Sequence, residues 1–204
     1  MTPGSGDVAS SMEAGELNLL NLLRKPENPW IVKARACRQL HQQGLSAEAI
    51  NRETKLNVKD QSIIIKAFEV YESLEHGRAP KPVCAHFALS NYEVLYEFHA
   101  LNQMQRVHAA TLAVGKHLNA SEAHAVAQAI VAFAHFTHPP KGFTDHSGDA
   151  VACQCWLSAR QEKDVILREQ LIARGLRFAH SAAARLQLTS LLDHSPPDTT
   201  PPTP

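Results

Sequence analysis

With 204 residues, the chain is long enough to bury a real core, and its 20 basic and 20 acidic side chains cancel. Nothing global therefore pulls it toward phosphates, anionic membranes or strongly charged substrates. Its four cysteines form no CxxC pair and are not needed as staples at this size, which points to reduced thiols.

The N-terminal stretch, residues 1–15, lacks the basic and apolar regions of a secretory signal and reads as a flexible leader. Glu16 to Lys25 carries five leucines and should be a short helix stopped by Pro26. Next, Asn28 is expected to cap and Pro29 to take the first helical position, with Trp30, Ala34, Cys37 and Leu40 at helical spacing as far as Gly44. Ser46 should cap a short helix through Ala49, Ile50 and Thr54. A turn at Leu56 and Asn57 precedes a long helix carrying Ile64, Ala67, Phe68, Tyr71 and Leu74. The order is helix, turn, helix. A DNA-reading helix would offer basic and amide side chains to the major groove. VKDQSIIIKAFEVYESLEHG instead has as many acids as lysines to Tyr71 and more acids beyond it. Nucleic-acid binding is thus the alternative reading, and a packing role the first.

RAPKPV, residues 78–83, reads as a break between a helix-turn-helix subdomain, 16–77, and a helical bundle subdomain, 84–193. Ser90 with Glu93 has the spacing of a capping box ahead of Val94, Leu95, Phe98 and Leu101. Val107, Thr111, Val114 and Leu118 suggest the buried face of the next helix. Asn119 with Glu122 repeats the capping pattern before Ala123, Val126, Ala127, Ile130, Phe133 and Ala134, ended by His138, Pro139 and Pro140. Ala150 to Ala159 is apolar almost all round, with only Gln154 and Ser158 polar, so it should be the buried centre of the bundle, started by Asp149. Two further helices, Lys163 to Ala179 and Ser181 to Asp193, complete an all-α protein of about nine helices. The termini are expected to be disordered, and SPPDTTPPTP, within residues 194–204, reads as a Pro-rich linker or tail.

His135 and His138 are the best local metal pair, but a zinc site needs further ligands nearby, and Cys153 and Cys155 point to different sides of their helix. Both cysteines sit among Ala, Val, Trp and Leu, a setting for core thiols rather than nucleophiles. No phosphate loop, GxSxG, HExxH or paired carboxylates occur. The expectation is no catalytic residue, no metal and no cofactor. Trp156 should be core. Arg160, Arg168, Arg174, Arg177 and Arg185, with the neighbouring Gln161, are the candidate partner-binding residues, because arginine is enriched at binding hot spots.

GDAVACQCWLSARQ followed by LIARGLRFAHSAAAR resembles the end of the α-domain of the RuBisCO accumulation factor family. LLRKPENPWIVKARACRQLHQQGLSAEAI is similar to that family's helix-turn-helix, and NYEVLYEFHALN to the start of its central helical part; the likeness covers roughly residues 16 to 193. The resemblance implies a non-catalytic assembly chaperone of the cyanobacterial cytoplasm or chloroplast stroma. Its partner would be the RuBisCO large subunit, bound after chaperonin release as antiparallel dimers on the way to an octameric core, until small subunits displace the chaperone. It implies no nucleic acid and no membrane as partner. Family members dimerise through a β-domain that this sequence does not contain, so the α-domain alone is expected to be monomeric.

Overall fold

The computed structural model describes residues 6–193, and their side chains from 14 to 192. Among the described residues every regular element is a helix. They are α1 (Gly6–Arg24), α2 (Trp30–Gln42), α3 (Ala47–Thr54), α4 (Val58–His76), α5 (Lys81–Leu89), α6 (Tyr92–Glu97), α7 (Gln103–Lys116), α8 (Ala120–Ala134), α9 (Ser147–Gln161), α10 (Val165–Phe178) and α11 (Ala182–Asp193). The all-α expectation holds, with eleven helices rather than about nine. α1 reaches back into the stretch read as a leader; residues 1–5 of that leader and the Pro-rich stretch 194–204 lie outside the described residues. α5 was missed because Pro80 and Pro82 look like a break. Proline at the start of a helix gives up only an N–H that has no partner there, and Pro82 sits at such a position.

The chain divides into two compact units, 1–124 and 125–204. In the first, α4 is the hub, packing against α2, α3, α5, α6 and α7. It buries Gln61, Ile64, Ala67, Phe68, Val70, Tyr71 and Leu74, so the helix in the recognition position of the helix-turn-helix is spent on packing. Trp30 stands edge-on to Phe68 and Tyr71, with ring centroids 6.5 and 6.0 Å away, and its indole N–H donates to the Phe87 carbonyl at 2.8 Å. The buried Gln61 amide locks the turn. Its Nε2 donates to the carbonyls of Ala47 (2.9 Å) and Leu56 (2.8 Å), and its Oε1 accepts from the Cys37 thiol at 3.8 Å. Arg38 forks onto Glu72 at 2.6 and 3.0 Å, a hydrogen-bonded pair that holds the Glu72 carboxyl below its usual range.

Several local expectations are corrected here. Ser46 does cap α3 and accepts from Ala49 N, and Asn119 with Glu122 forms both bonds of the expected box. Asn28 does not cap α2: it donates to the Leu22 carbonyl, and Pro29 is the cap residue. Ser90 does not cap α6 either. It ends α5 in extended backbone, and Asn91, left-handed at φ 64°, precedes α6. In α7 the buried residues are Ala109, Ala110 and Ala113, not the Val107–Thr111–Val114 row, which is exposed or half-buried. Alanine lets helix axes approach closely, and its small side chain hides that face from a periodicity of large residues.

The second unit is built on the meeting of α9 with the α10–α11 turn. α9 begins earlier than expected, at Ser147, with His146 as its cap accepting from Gly148 N at 3.0 Å. Asp149 is inside the helix and fully buried. Its carboxylate accepts from His180 N (2.8 Å), Ser181 N (2.9 Å), Thr144 Oγ1 (2.7 Å) and Thr144 N (3.3 Å). Gly148 lets the segments touch, since a Cβ there would fall 2.4 Å from the Phe178 carbonyl oxygen. Above it the His146 and His180 rings stack at 3.7 Å between centroids. Gly175 plays the same part in the last turn of α10, where a Cβ would come within 2.7 Å of Leu188 and 3.1 Å of Cys155.

Burial by itself pushes the Asp149 carboxyl up, but the hydrogen bonds from Ser181, Thr144 and His180 outweigh it and hold the carboxyl below its ordinary value. A depressed folded-state value stabilises the fold above the unfolded value and loses that contribution as pH falls through the folded one. The thermal stability of the wild-type chain should therefore fall on acidification below about pH 4, where an unfolded aspartate titrates. Asp149→Asn should cost about 1–3 kcal/mol at neutral pH and flatten that acid dependence. Gly148→Ala should cost about 1–3 kcal/mol in the same melts, because backbone oxygen cannot move aside as a side chain would.

Candidate functional site

The six candidate residues all fall on α9, α10 and α11, but the structure does not bring them to one spot. Arg168 is half-buried; its Nη2 donates to the Leu191 carbonyl at 2.7 Å, and its Nε is buried without a hydrogen bond. It closes the C-terminal end of α11, where carbonyls lack helical partners. Arg185 reaches the opposite end of the hairpin, its Nε donating to the Ala179 carbonyl at 3.3 Å. Both arginines bond carbonyls of the fold, Arg168 from a half-buried position and Arg185 from an exposed one.

Arg160 lies over the Trp156 ring at 4.6 Å, a cation–π contact on a half-buried indole that also packs against Phe143 at 5.6 Å. Trp156 is therefore not fully core. The C-terminal half of α9 is amphipathic, with Gln154, Ser158 and Gln161 exposed along one strip, while Ser147 to Cys153 is buried throughout. Arg174 and Arg177 are both exposed on α10, and Arg177 lies over the Phe178 ring at 5.4 Å. Of the six, Arg160, Gln161, Arg174, Arg177 and Arg185 are exposed.

What sequence reasoning missed is an apolar turn beside them. Val165, Ile166 and Leu167, at the start of α10, are 54, 68 and 48 % exposed, although together they surround the helix. The signal was present as three consecutive large apolar residues, but in a helical protein such a run reads as core.

The thiols offer no nucleophile. Burial pushes Cys153 up to about 11, helped by the Asp149 charge, and burial raises Cys155 against the Arg174 charge. His135 is exposed and turned to the Val131 carbonyl, and among the described residues no group of three or more His, Cys, Asp or Glu side chains could hold a metal. Nor is any described helix long and apolar enough to cross a membrane. A cleft of about 250 Å³ in the first unit is lined by His86, Phe87, Asn91, Val94, His117 and Asn119, with no carboxylate or thiol among its lining residues.

Residues 16–75 match the family model described as the Rubisco accumulation factor 1 helix turn helix domain, and residues 87–192 that of its alpha helical domain. The chain belongs to this family. Among curated members, the RuBisCO accumulation factor 1 of Synechocystis sp. is 40% identical over 191 residues, 94% of this chain and 53% of that protein. That of Picosynechococcus sp. is 39% identical over 93% of this chain and 53% of its own length. The chloroplastic protein of Zea mays is 27% identical over 86% of this chain and 40% of its own. The chain thus spans about half the length of its cyanobacterial relatives. Two of the sequence blocks that suggested the family meet in the structure, Gly148 and Asp149 from one against Phe178, His180 and Ser181 from the other.

Two outcomes separate fold from surface on these helices. Arg168→Ala should lower stability by about 1 kcal/mol through the lost Leu191 bond, read by thermal melting, whereas Arg160→Ala should move the melt far less. Iodoacetamide at neutral pH should leave Cys153 unmodified in the folded chain, as mass spectrometry of the labelled protein would register.

Proposed function

We propose that this chain is the helical, partner-binding part of a RuBisCO assembly chaperone, acting without catalysis in the cyanobacterial cytoplasm or the chloroplast stroma. It receives large subunits after chaperonin release, holds them as antiparallel dimers, and supports formation of the octameric core until small subunits displace it. One observation carries this reading: both domain models of the family match in order and together span most of the chain. The neutral charge and the exposed cations of α9 and α10 are in keeping with it. Arg160, Gln161, Arg174 and Arg177 are the polar contacts we assign to the large subunit. The chain by itself is read as a monomer, so its grip lacks the gain in effective concentration that two linked grips would have. The nucleic-acid alternative gains no support, because α4 is enclosed by five neighbouring helices.

Mixing the chain with unassembled large subunits should give a new band on native gels that dissolves when small subunits are added. No complex at micromolar concentration would remove the reading for this chain. Replacing Arg174 and Arg177 together by alanine should weaken binding by about 1–3 kcal/mol while leaving the melting temperature nearly unchanged. A large loss of melting temperature with binding intact would place both arginines in the fold instead.

A further inference from the structure

The inner face of α10 is fully committed. Ile172, Gly175 and Phe178 are buried, and Gly175 brings the helix into close contact with Leu188 and Cys155. Its outer face is Ile166, Gln170, Ala173 and Arg177, at helical spacing, flanked by Leu167 and Arg174, and all of these are exposed. The first turn of this face carries large apolar side chains, and the rest is polar or cationic apart from Ala173. Arg168 ties the end of α11 to the same turn through the Leu191 carbonyl, and the side chain after it, Leu192, is 44 % exposed.

The exposed charges of α10 lean cationic, Arg174 and Arg177 against Glu169. A surface that complements it has an apolar depression for Ile166 and carboxylates about two to three helical turns away for Arg174 and Arg177. A lipid bilayer would instead call for an apolar stripe along the whole helix. Here the large apolar side chains stop after one turn.

We infer that the outer face of α10 is a docking surface with Ile166 and Leu167 as its apolar anchor and Arg174 and Arg177 as its cationic flank, and that its occupant is an acidic-rimmed apolar patch on the RuBisCO large subunit. The identity of the occupant rests on the assembly reading above; the chemistry of the patch rests on α10 itself. Anchors that fill a pocket carry much of the energy of an interface, and the surrounding charges add specificity and register.

The test compares the wild-type chain with Ile166→Glu, Leu167→Ser and a control, Leu186→Ser, which removes an equally exposed leucine, 68 %, from α11. Binding to unassembled large subunits is measured by biolayer interferometry, melting temperature by calorimetry, and mass by light scattering. Ile166→Glu should weaken binding about tenfold or more, and Leu167→Ser by a smaller factor. Leu186→Ser should match wild type, with all three melts within a few degrees of it. Wild-type binding unchanged by Ile166→Glu and Leu167→Ser overturns this inference and leaves the assembly reading standing. No wild-type binding overturns that reading and the named occupant with it. Equal loss from Leu186→Ser makes the effect general hydrophobicity rather than a site. A wild-type dimer that Ile166→Glu dissolves would make a second copy the occupant, and wild-type binding to anionic phosphatidylserine vesicles that Ile166→Glu abolishes would make it a membrane; either result overturns the inference.

Discussion

Asp149 is a buried carboxylate that accepts hydrogen bonds from two backbone amides beyond α10 and from Thr144 before α9. The rest of the second unit depends on it. Without those bonds the His180 and Ser181 amides would be buried against an apolar helix start with nothing to receive them, a cost folded proteins rarely carry. With them, the entry to α9, the α10–α11 turn and the loop before α9 are held by one side chain. Gly148 next to it keeps the Phe178 carbonyl at contact distance, so the pair acts jointly: the glycine allows the approach and the aspartate binds across it.

The first unit shows the same logic with a neutral group. Gln61 in α4 reaches back to the carbonyls of Ala47 and Leu56 and so fixes the turn between α3 and α4 from inside. A buried amide with its hydrogen bonds made costs little, and it specifies one arrangement where an apolar residue would tolerate several. The helix-turn-helix shape is thus held by its core. That explains how α4 can occupy the position of a recognition helix while being enclosed by neighbours.

Much of this was legible in the sequence where the determinant is local. Ser46, Asn119 and Glu122 form their caps because a cap needs only three or four residues of chain. The stripe of α8 was read from large side chains and is buried at Ala123, Val126, Ala127, Ile130 and Phe133, though Ala134 is exposed. Two of the misses come from a competing hydrogen-bond partner. Asn28 looks like a cap but spends its amide on Leu22, and Asp149 looks like a helix starter but serves the turn after α10. The alanine face of α7 is invisible to a search for large residues. For the surface, residue type alone made five arginines equivalent; only contacts distinguish Arg168 and Arg185, which bond carbonyls of the fold, from Arg174 and Arg177 on the outer side of α10.

The close approach at Gly175 has a consequence for α10 as a whole. A helix pressed in its last turn against Leu188 on one neighbour and Cys155 on another can neither roll nor slide without overlap, because packed interiors respond to displacement as solids do. Its two ends therefore keep a constant separation, and the exposed isoleucine and the exposed arginines sit on it like marks on a ruler. A surface of that kind loses little freedom when it is covered. It also discriminates by distance: a partner whose hollow and charges are spaced differently finds a rigid mismatch rather than a helix that adjusts.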